Sequence, residues 1–179
     1  MEGVVVVTGT TGDDTLTVTA TGANSGTYQI GSGPVISFSG LTDFTFNGGD
    51  GDDTLVINNP VGGLFDPVGG ITFNGGTGGE VLGDTLEILG GTATSVLHTF
   101  DNANDGSVSF DGEATATITY TGLEPILDTI LAGDRTFNFT GGAETITLSD
   151  VGPNNDGISQ IDSDDLGELV NFLNPTDNI

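Results

Sequence analysis

The chain has 179 residues and a formal net charge of −25, because 26 Asp and Glu residues stand against a single basic residue, Arg135. Nothing in it could neutralise phosphates, so binding to nucleic acid or to anionic membrane surfaces is excluded, and cations are the natural partners of such a surface. The absence of cysteine excludes disulfides and thiolate metal sites, and no apolar run reaches the roughly 20 residues of a transmembrane helix, so we expect no membrane insertion.

The N-terminal quarter of the chain alternates apolar runs with turn residues, which predicts short β-strands. The second predicted strand alternates apolar and threonine residues with period 2, as a half-buried strand does. The third and fourth are separated by a short glycine turn and predict a hairpin. These strands cover residues 3–9, 15–20, 27–30, 34–39 and 44–46.

A turn rich in glycine and aspartate follows at residues 47–53 and leads into the apolar strand 54–57. Its glycines allow positive φ and a close approach of the backbone. The residues fit the repeat pattern G-G-x-G-x-D-x-U-x, with U a large apolar residue. In this stretch the chain resembles the RTX, or hemolysin-type calcium-binding, repeat proteins. The resemblance implies parallel β-strands whose turns bind Ca²⁺, in a module of a very large bacterial surface or secreted protein.

Imperfect copies of this turn occur elsewhere in the chain. Residues 9–17 repeat it with Thr10 in place of the second glycine. Residues 74–88 repeat it with a longer turn before Asp84. Residues 141–146 are a shortened copy that has lost the aspartates, so we expect that the turn can form without an ion.

The remaining segments also predict strands and turns, and no segment has a long helical period. A second hairpin is predicted at residues 94–110 and an alternating strand at 114–121. Residues 122–126 are interpreted as a turn and 127–133 as a connection. Strands are predicted at 71–74, 136–139 and 158–161, and a last strand or short helical turn at 168–173.

The pattern predicts a single repeat-built domain over residues 1–179. Two similar halves, approximately 3–60 and 70–150, suggest an internal duplication, with 151–179 the start of a further repeat or an end segment. The Asp-Thr-Leu units are 39 and 31 residues apart, which suits a coil of about three strands. We predict an all-β fold, a parallel β-helix or β-solenoid with hairpin insertions, and keep an antiparallel β-sandwich as the alternative.

In a parallel solenoid, equivalent aspartates of successive coils stack about 4.8 Å apart and repel one another unless a cation lies between them. Ca²⁺ suits such a site because it takes six to eight oxygen ligands. The alternative is that the aspartates cap backbone N–H groups of the turn without metal. The predicted calcium ligands are Asp13, Asp14, Asp50, Asp52, Asp53 and Asp84.

Residues outside these turns give weaker functional signals. The acidic residues 162–168 do not have EF-hand spacing and are interpreted as a solvated loop. His98 is expected to lie on the surface or to pack rather than bind a metal, and Arg135 to form an ion pair with a carboxylate. With one His and one Arg there is little supply of a catalytic base, so we expect no enzyme; a carboxylate-based glycosidase is the least excluded class.

We therefore expect a structural repeat module of a large extracellular or cell-surface protein, with any export signal outside this chain. The alternatives are a self-assembling fibre subunit, whose open edge strands at residues 4–7 and 170–173 pair end to end between copies, and an adhesin or ice-binding solenoid with threonine-rich strands. A polysaccharide-active enzyme ranks below these.

Overall fold

The computed structural model describes residues 3–60, 63–78, 81–113, 117–140, 143–153, 155–164 and 169–179. The described strands form two mixed sheets, of seven and nine strands, and neither sheet is closed. The all-β prediction is confirmed. None of the described residues forms a helix that is long and apolar enough to cross a membrane.

The strands follow one another along the chain with short connections. Their bounds are β1 Gly3–Thr8, β2 Thr15–Gly22, β3 Ser25–Ile30, β4 Ile36–Phe38, β5 Leu41–Asp50, β6 Thr54–Asn59, β7 Ile71–Gly78, β8 Asp84–Gly90, β9 Thr92–Phe100, β10 Gly106–Phe110, β11 Ile118–Thr121, β12 Leu123–Asp128, β13 Leu131–Phe139, β14 Ile146–Asp150, β15 Ile158–Ser163 and β16 Val170–Leu173.

The chain alternates between the sheets. The seven-stranded sheet has the order β1-β5-β7-β11-β10-β9-β13, and the nine-stranded sheet has the order β14-β15-β16-β12-β8-β6-β2-β3-β4. Four consecutive strand pairs, β1–β2, β5–β6, β7–β8 and β11–β12, each place one strand in each sheet, and equivalent strands pair in parallel. Two strands, β6 and β7, separate the turns at Asp53 and Asp84, and β3 and β4 are added to this pattern between the turns at Asp14 and Asp53. The spacing predicted three, and the surplus length lies in hairpins and the loop between β6 and β7.

The core lies between the two sheets because stacked strands carry apolar residues at the same register. In the seven-stranded sheet one buried column contains Val5, Phe44, Ile71 and Ile118. In the nine-stranded sheet the matching column contains Leu16, Leu55, Leu86 and Ile126. Fully burying such a side chain stabilises the fold by about 1.5–3 kcal/mol, so these columns fix the parallel register.

Both predicted hairpins are present, in different sheets: β3 and β4 pair antiparallel in the nine-stranded sheet, and β9 and β10 in the seven-stranded sheet. The prediction of a turn at 122–126 and a connection at 127–133 is wrong. Most of this segment belongs to β12 and β13. The register shift between Leu123 and Ile126 accommodates Pro125 within a central strand.

The sheet edges differ in part from the prediction. β1 is the terminal strand of its sheet, as expected. β16 is not an edge, because β12 and β15 pair with it on either side. The edge of β13 is partly covered, since Asp134 forms a parallel bridge with Asn178.

Several sequence predictions fall on residues outside the described part of the chain. These are the glycines 141–142 of the shortened turn, residues 114–116 of an alternating strand, and residues 165 and 168 of the second acidic cluster. The division of the chain into two halves stays a prediction.

Candidate functional site: the aspartate turns and a buried ion cluster

Three of the predicted aspartates form a column at the start of three stacked strands. Parallel pairing places Thr15 beside Thr54 and Thr54 beside Thr85, so the preceding residues Asp14, Asp53 and Asp84 lie at the start of adjacent parallel strands. The backbone N–H of Asp14 donates to Oδ1 of Asp53 at 2.8 Å, and the N–H of Asp53 donates to Oδ1 of Asp84 at 2.7 Å. The carboxylates of Asp53 and Asp84 therefore each cap the N–H before the preceding parallel strand, whereas that of Asp14 accepts the N–H of Thr10 in its own turn.

The backbone completes the same contact in the opposite direction. The N–H of Thr54 donates to the carbonyl of Asp14 at 2.8 Å, and the N–H of Thr85 donates to the carbonyl of Asp53 at 2.7 Å. The hydrogen bonds accepted by the carboxylates of Asp53 and Asp84 belong to the class of bonds to charged groups, which contribute about 1.5–3 kcal/mol each. We call this repeated arrangement of Asp14, Asp53 and Asp84 the aspartate ladder.

Glycine is required beside the ladder because the carboxylates occupy the space of a side chain. A Cβ on Gly48 would lie 2.2 Å from Oδ2 of Asp53 and 2.6 Å from the carbonyl oxygen of Gly75. A Cβ on Gly75 would lie 2.1 Å from Oδ2 of Asp84. The glycine and the aspartate of each turn are thus one packing unit.

A second series of contacts runs along the exposed side of the turns. The N–H of Asp52 donates to Oδ1 of Asp13 at 3.0 Å. Asp52 in turn accepts the N–H of Val81 at 2.7 Å and that of Leu82 at 3.1 Å. These backbone donors lower the pKa of Asp52. The longer third turn, before Asp84, has no aspartate equivalent to Asp13 or Asp52. Its backbone N–H groups nevertheless donate hydrogen bonds to Asp52.

Asp53 holds its carboxylate in an electrostatically unfavourable environment. It is fully buried, and its Oδ2 atom has no hydrogen-bond partner among the described residues. Burial raises the pKa of Asp53; the N–H of Asp14 opposes this, and the charges of Asp14, Asp13 and Asp52 add to it. A proton or a cation at Asp53 would relieve this cost.

The six predicted calcium ligands all lie within the described residues, and Asp14, Asp13 and Asp52 are close enough for their charges to act on Asp53. Asp13 contacts the backbone of Asp52, and the ladder aspartates contact one another's backbone. Asp50 lies at the end of β5, beside Gly78. In the described ranges no group of three or more His, Cys, Asp or Glu side chains is placed to hold a metal ion.

A buried ion cluster lies in the core between the sheets, away from the turns. Asp128 on β12 forms an ion pair with Arg135 on β13, and Oδ2 of Asp128 lies 3.0 Å from Nε2 of His98 on β9. All three side chains are buried. Burial opposes ionisation of Asp128, but the hydrogen bond with His98 and the charge of Arg135 outweigh it and hold the pKa of Asp128 below its usual range.

The cluster also holds the backbone of β16 and of the connection between β12 and β13. Nε of Arg135 donates to the carbonyl of Leu173 at 2.9 Å, and Nη2 donates to the carbonyl of Ile130 at 2.7 Å. The guanidinium lies 5.5 Å from the centroid of the Phe172 ring, within the range of a cation–π contact. Arg135 thus joins β13 to β12 and β16.

Sequence reasoning found part of this cluster. The ion pair expected for Arg135 and the packing role expected for His98 are confirmed. Asp128 was missed, because it was interpreted as part of a connection. The available signal was one acidic residue within an apolar run, seven positions before the only arginine.

The outer surface of the seven-stranded sheet carries a row of short polar side chains that the sequence did not reveal. Strand register aligns Thr45, Thr72, Thr119, Ser107, Thr99 and Asn138, with Val6 at the end. Neighbouring members are about 4.8 Å apart, the spacing of paired strands. We call this the hydroxyl row. It contains no charged residue.

The second acidic cluster is only partly a loop. Asp162 lies in β15, and Asp164 accepts the N–H of Thr145 at 2.7 Å, which lowers the pKa of Asp164. Both aspartates line a shallow surface groove with Glu124.

Comparisons with protein-family models, with curated proteins and with solved structures find no match for this chain.

Proposed function

We propose that the chain is a structural repeat module of a large extracellular or cell-surface protein, built as a two-sheet β-solenoid with hairpin insertions. The observation that carries the proposal is the aspartate ladder, in which the same contact recurs between Asp14 and Asp53 and between Asp53 and Asp84. A contact that recurs from coil to coil suits a scaffold, because each coil is stabilised by its neighbours. The extracellular location rests on the resemblance to RTX repeats.

In this proposal the ladder holds the coils in register from the turn side, while the apolar columns hold them from the core. Amide hydrogen exchange tests this. We expect the N–H groups of Asp14 and Asp53 to exchange slowly, although they lie in turns, and the Asp53 amide to lose protection in Asp84→Ala. The control is Asp50→Ala, which lies outside the ladder. Rapid exchange of both amides in the unaltered chain would refute the scaffold role of the turns.

Calcium binding is a second proposal for the same turns, and the buried Oδ2 of Asp53 is the observation that favours it. Burial raises the pKa of Asp53 and neighbouring carboxylates add to this, as at a site that gains from a cation. The ladder competes with this role, since Oδ1 of Asp53 already accepts the N–H of Asp14. When bound, Ca²⁺ would supply charge neutralisation and couple metal binding to folding.

Thermal unfolding with excess Ca²⁺ and with excess chelator separates the two roles of the turns. A calcium site at Asp53 predicts a higher midpoint with Ca²⁺ than with Mg²⁺ or matched NaCl, and loss of that difference in Asp53→Asn. Asp150→Asn, which removes one exposed carboxylate outside the turns, is the matched control. Equal midpoints in all salts would leave the ladder as a metal-free scaffold.

An adhesive or ice-binding role is a further candidate, favoured by the hydroxyl row. A regular array of hydroxyl and amide groups could hydrogen-bond a repeating surface such as ice or a polysaccharide crystal. Adsorption of the chain to ice and to insoluble polysaccharide tests this. The expected result is binding that is lost in Thr72→Glu and kept in Thr54→Glu on the other sheet.

A catalytic role is not part of the proposal. The chain has one histidine and one basic residue, and both side chains are buried in the ion cluster. Their positions between the sheets support a role in stability rather than in proton transfer to a substrate.

A further inference from the structure

The charges of this strongly acidic chain are unevenly distributed. Residues 15–42 contain no charged side chain, although the whole chain carries 26 acidic residues. This segment forms β2, β3 and β4, and β4 is the terminal strand of the nine-stranded sheet. β1, the terminal strand of the other sheet, is also free of charged residues. One end of the molecule is therefore built from uncharged strands.

This end has the form of a step. β1 and β2 belong to the same coil, but β2 is followed in its sheet by β3 and β4, whereas β1 is the last strand of its own sheet. The nine-stranded sheet thus extends two strands beyond its neighbour. We call the part formed by β3 and β4 beside β1 the N-terminal step; Phe65, in the loop between β6 and β7, packs on Phe38 and covers one end of it.

The N-terminal step is apolar. Tyr28, Ile30 and Ile36 lie on the core-facing side of β3 and β4, in line with the buried residues of β2, yet they are only partly buried. Val6 on β1 is 60% exposed, and Val35, directly before β4, is 62% exposed. Apolar surface on a strand edge is a typical docking surface.

Among the described strands only β5 pairs with β1, so the other edge of β1 presents backbone hydrogen-bonding groups. The N–H groups of Gly3 and Gly9 point toward the neighbouring strand. That of Gly3 donates to the carbonyl of Gly40, directly before β5, and that of Gly9 donates to the carbonyl of Asn47 in β5. Because strand residues alternate, the N–H groups of the even-numbered residues Val4, Val6 and Thr8 point to the opposite, unpaired side.

We propose that the N-terminal step is a self-association surface, and that its occupant is the same step of a second copy of this chain. The short turn 9–14, closed by the N–H of Thr10 donating to Asp14 at 2.6 Å, reverses the chain between β1 and β2. Two further antiparallel pairings make β4 run opposite to β1. A two-fold axis parallel to the strands leaves the strand directions unchanged, so β4 of each copy lies antiparallel to β1 of the other. Strands β3 and β4 of each copy then fill the step of its partner.

Charge is the reason to choose a second copy that binds through the same end. Two molecules of charge −25 repel one another, and this repulsion is weakest where both present uncharged strands. At the other end of the sheets, β13 and β14 carry Asp134 and Asp150. The contact is thus isologous and closes at a dimer, unlike the end-to-end fibre expected from the sequence. It stands whether or not the turns bind calcium.

Sedimentation velocity over a range of concentrations, with chelator and at high salt to screen repulsion, tests the proposal. The expected result is a monomer–dimer equilibrium with no larger species. Val6→Pro removes the outward N–H without touching the bonds to β5 and should abolish the dimer, whereas Val6→Thr keeps that N–H and should preserve it. Circular dichroism establishes that each variant is folded.

A second pair of variants keeps the test decisive if Val6→Pro fails to fold. Val35→Glu adds a charge at the step and should weaken the dimer at least tenfold. Leu148→Glu adds the same charge to an exposed apolar residue of β14, at the far end of the same sheet, and should have no effect. A chain that stays monomeric at high salt, species larger than dimers, or a dimer lost in Leu148→Glu but not in Val35→Glu would each overturn the proposal.

Discussion

Asp53 and Asp128 are both fully buried carboxylates, but the chain stabilises them in different ways. Asp53 accepts the backbone N–H of Asp14, and among the described residues the charges that act on it are those of other carboxylates. Asp128 is paired with Arg135 and His98. Accordingly the pKa of Asp53 is raised and that of Asp128 is lowered.

The difference shows which of the two arrangements can be repeated. The ladder uses backbone donors, which every coil supplies, so it can recur at Asp14, Asp53 and Asp84 without any basic residue. The ion cluster consumes the only histidine and the only basic residue of the chain, so it can form once. The ion cluster lies at the end of the regularly stacked strand pairs. There β10, β9 and β13 extend the seven-stranded sheet past β11, and β16 extends the nine-stranded sheet past β12.

The largest expected effect comes from breaking the ion cluster. Arg135→Met should destabilise the protein by about 3–5 kcal/mol, because it leaves Asp128 buried without its cation. Urea unfolding measures this as a lower midpoint. The double variant Arg135→Met/Asp128→Asn should recover part of the loss, since the buried charge is then removed. A single variant as stable as the unaltered chain would show that the pair contributes nothing.

A smaller effect is expected from filling the space beside the ladder. Gly48→Ala places a Cβ against Oδ2 of Asp53 and should cost about 1–3 kcal/mol through overpacking. Gly12→Ala is the matched control, because a Cβ there meets nothing within 4 Å. Equal unfolding midpoints for the two variants would contradict the close packing of glycine and aspartate.

The smallest effect, and the sharpest contrast between the regions, is expected from pH. Because the folded pKa of Asp53 is raised, its protonation stabilises the protein as the pH falls through that value, fully below about 4. Asp52 and Asp128 have lowered pKa values, so their contributions are present above about 4 and are lost at lower pH. Stability should therefore pass through a maximum in mildly acidic solution.

Asp53→Asn identifies the source of this maximum. The variant keeps a hydrogen-bond acceptor for Asp14 but cannot ionise, so the rise in unfolding midpoint between neutral and mildly acidic pH should shrink, while the fall at lower pH should persist. The change at neutral pH should stay within about 1 kcal/mol. An unchanged pH profile would show that Asp53 carries no unfavourable charge in the folded chain.

The sequence by itself determined the strand class and the composition of the turns. Period-2 alternation at residues 15–20 and the glycine–aspartate pattern at 47–53 depend on local backbone geometry, which neighbouring residues dictate. The strands that follow Asp14, Asp53 and Asp84 pair in parallel, and the repeated Asp-Thr-Leu pattern marks the start of each.

Only the tertiary structure decided what those residues contact. The direction of each carboxylate depends on the register of strands that are 31 and 39 residues apart, and this register selects backbone N–H groups as partners. The partner of Arg135, the internal position of β16 and the uncharged step beside β1 likewise follow from the order of strands in the two sheets. That order is set by the packing of distant apolar columns, which a local sequence pattern does not specify.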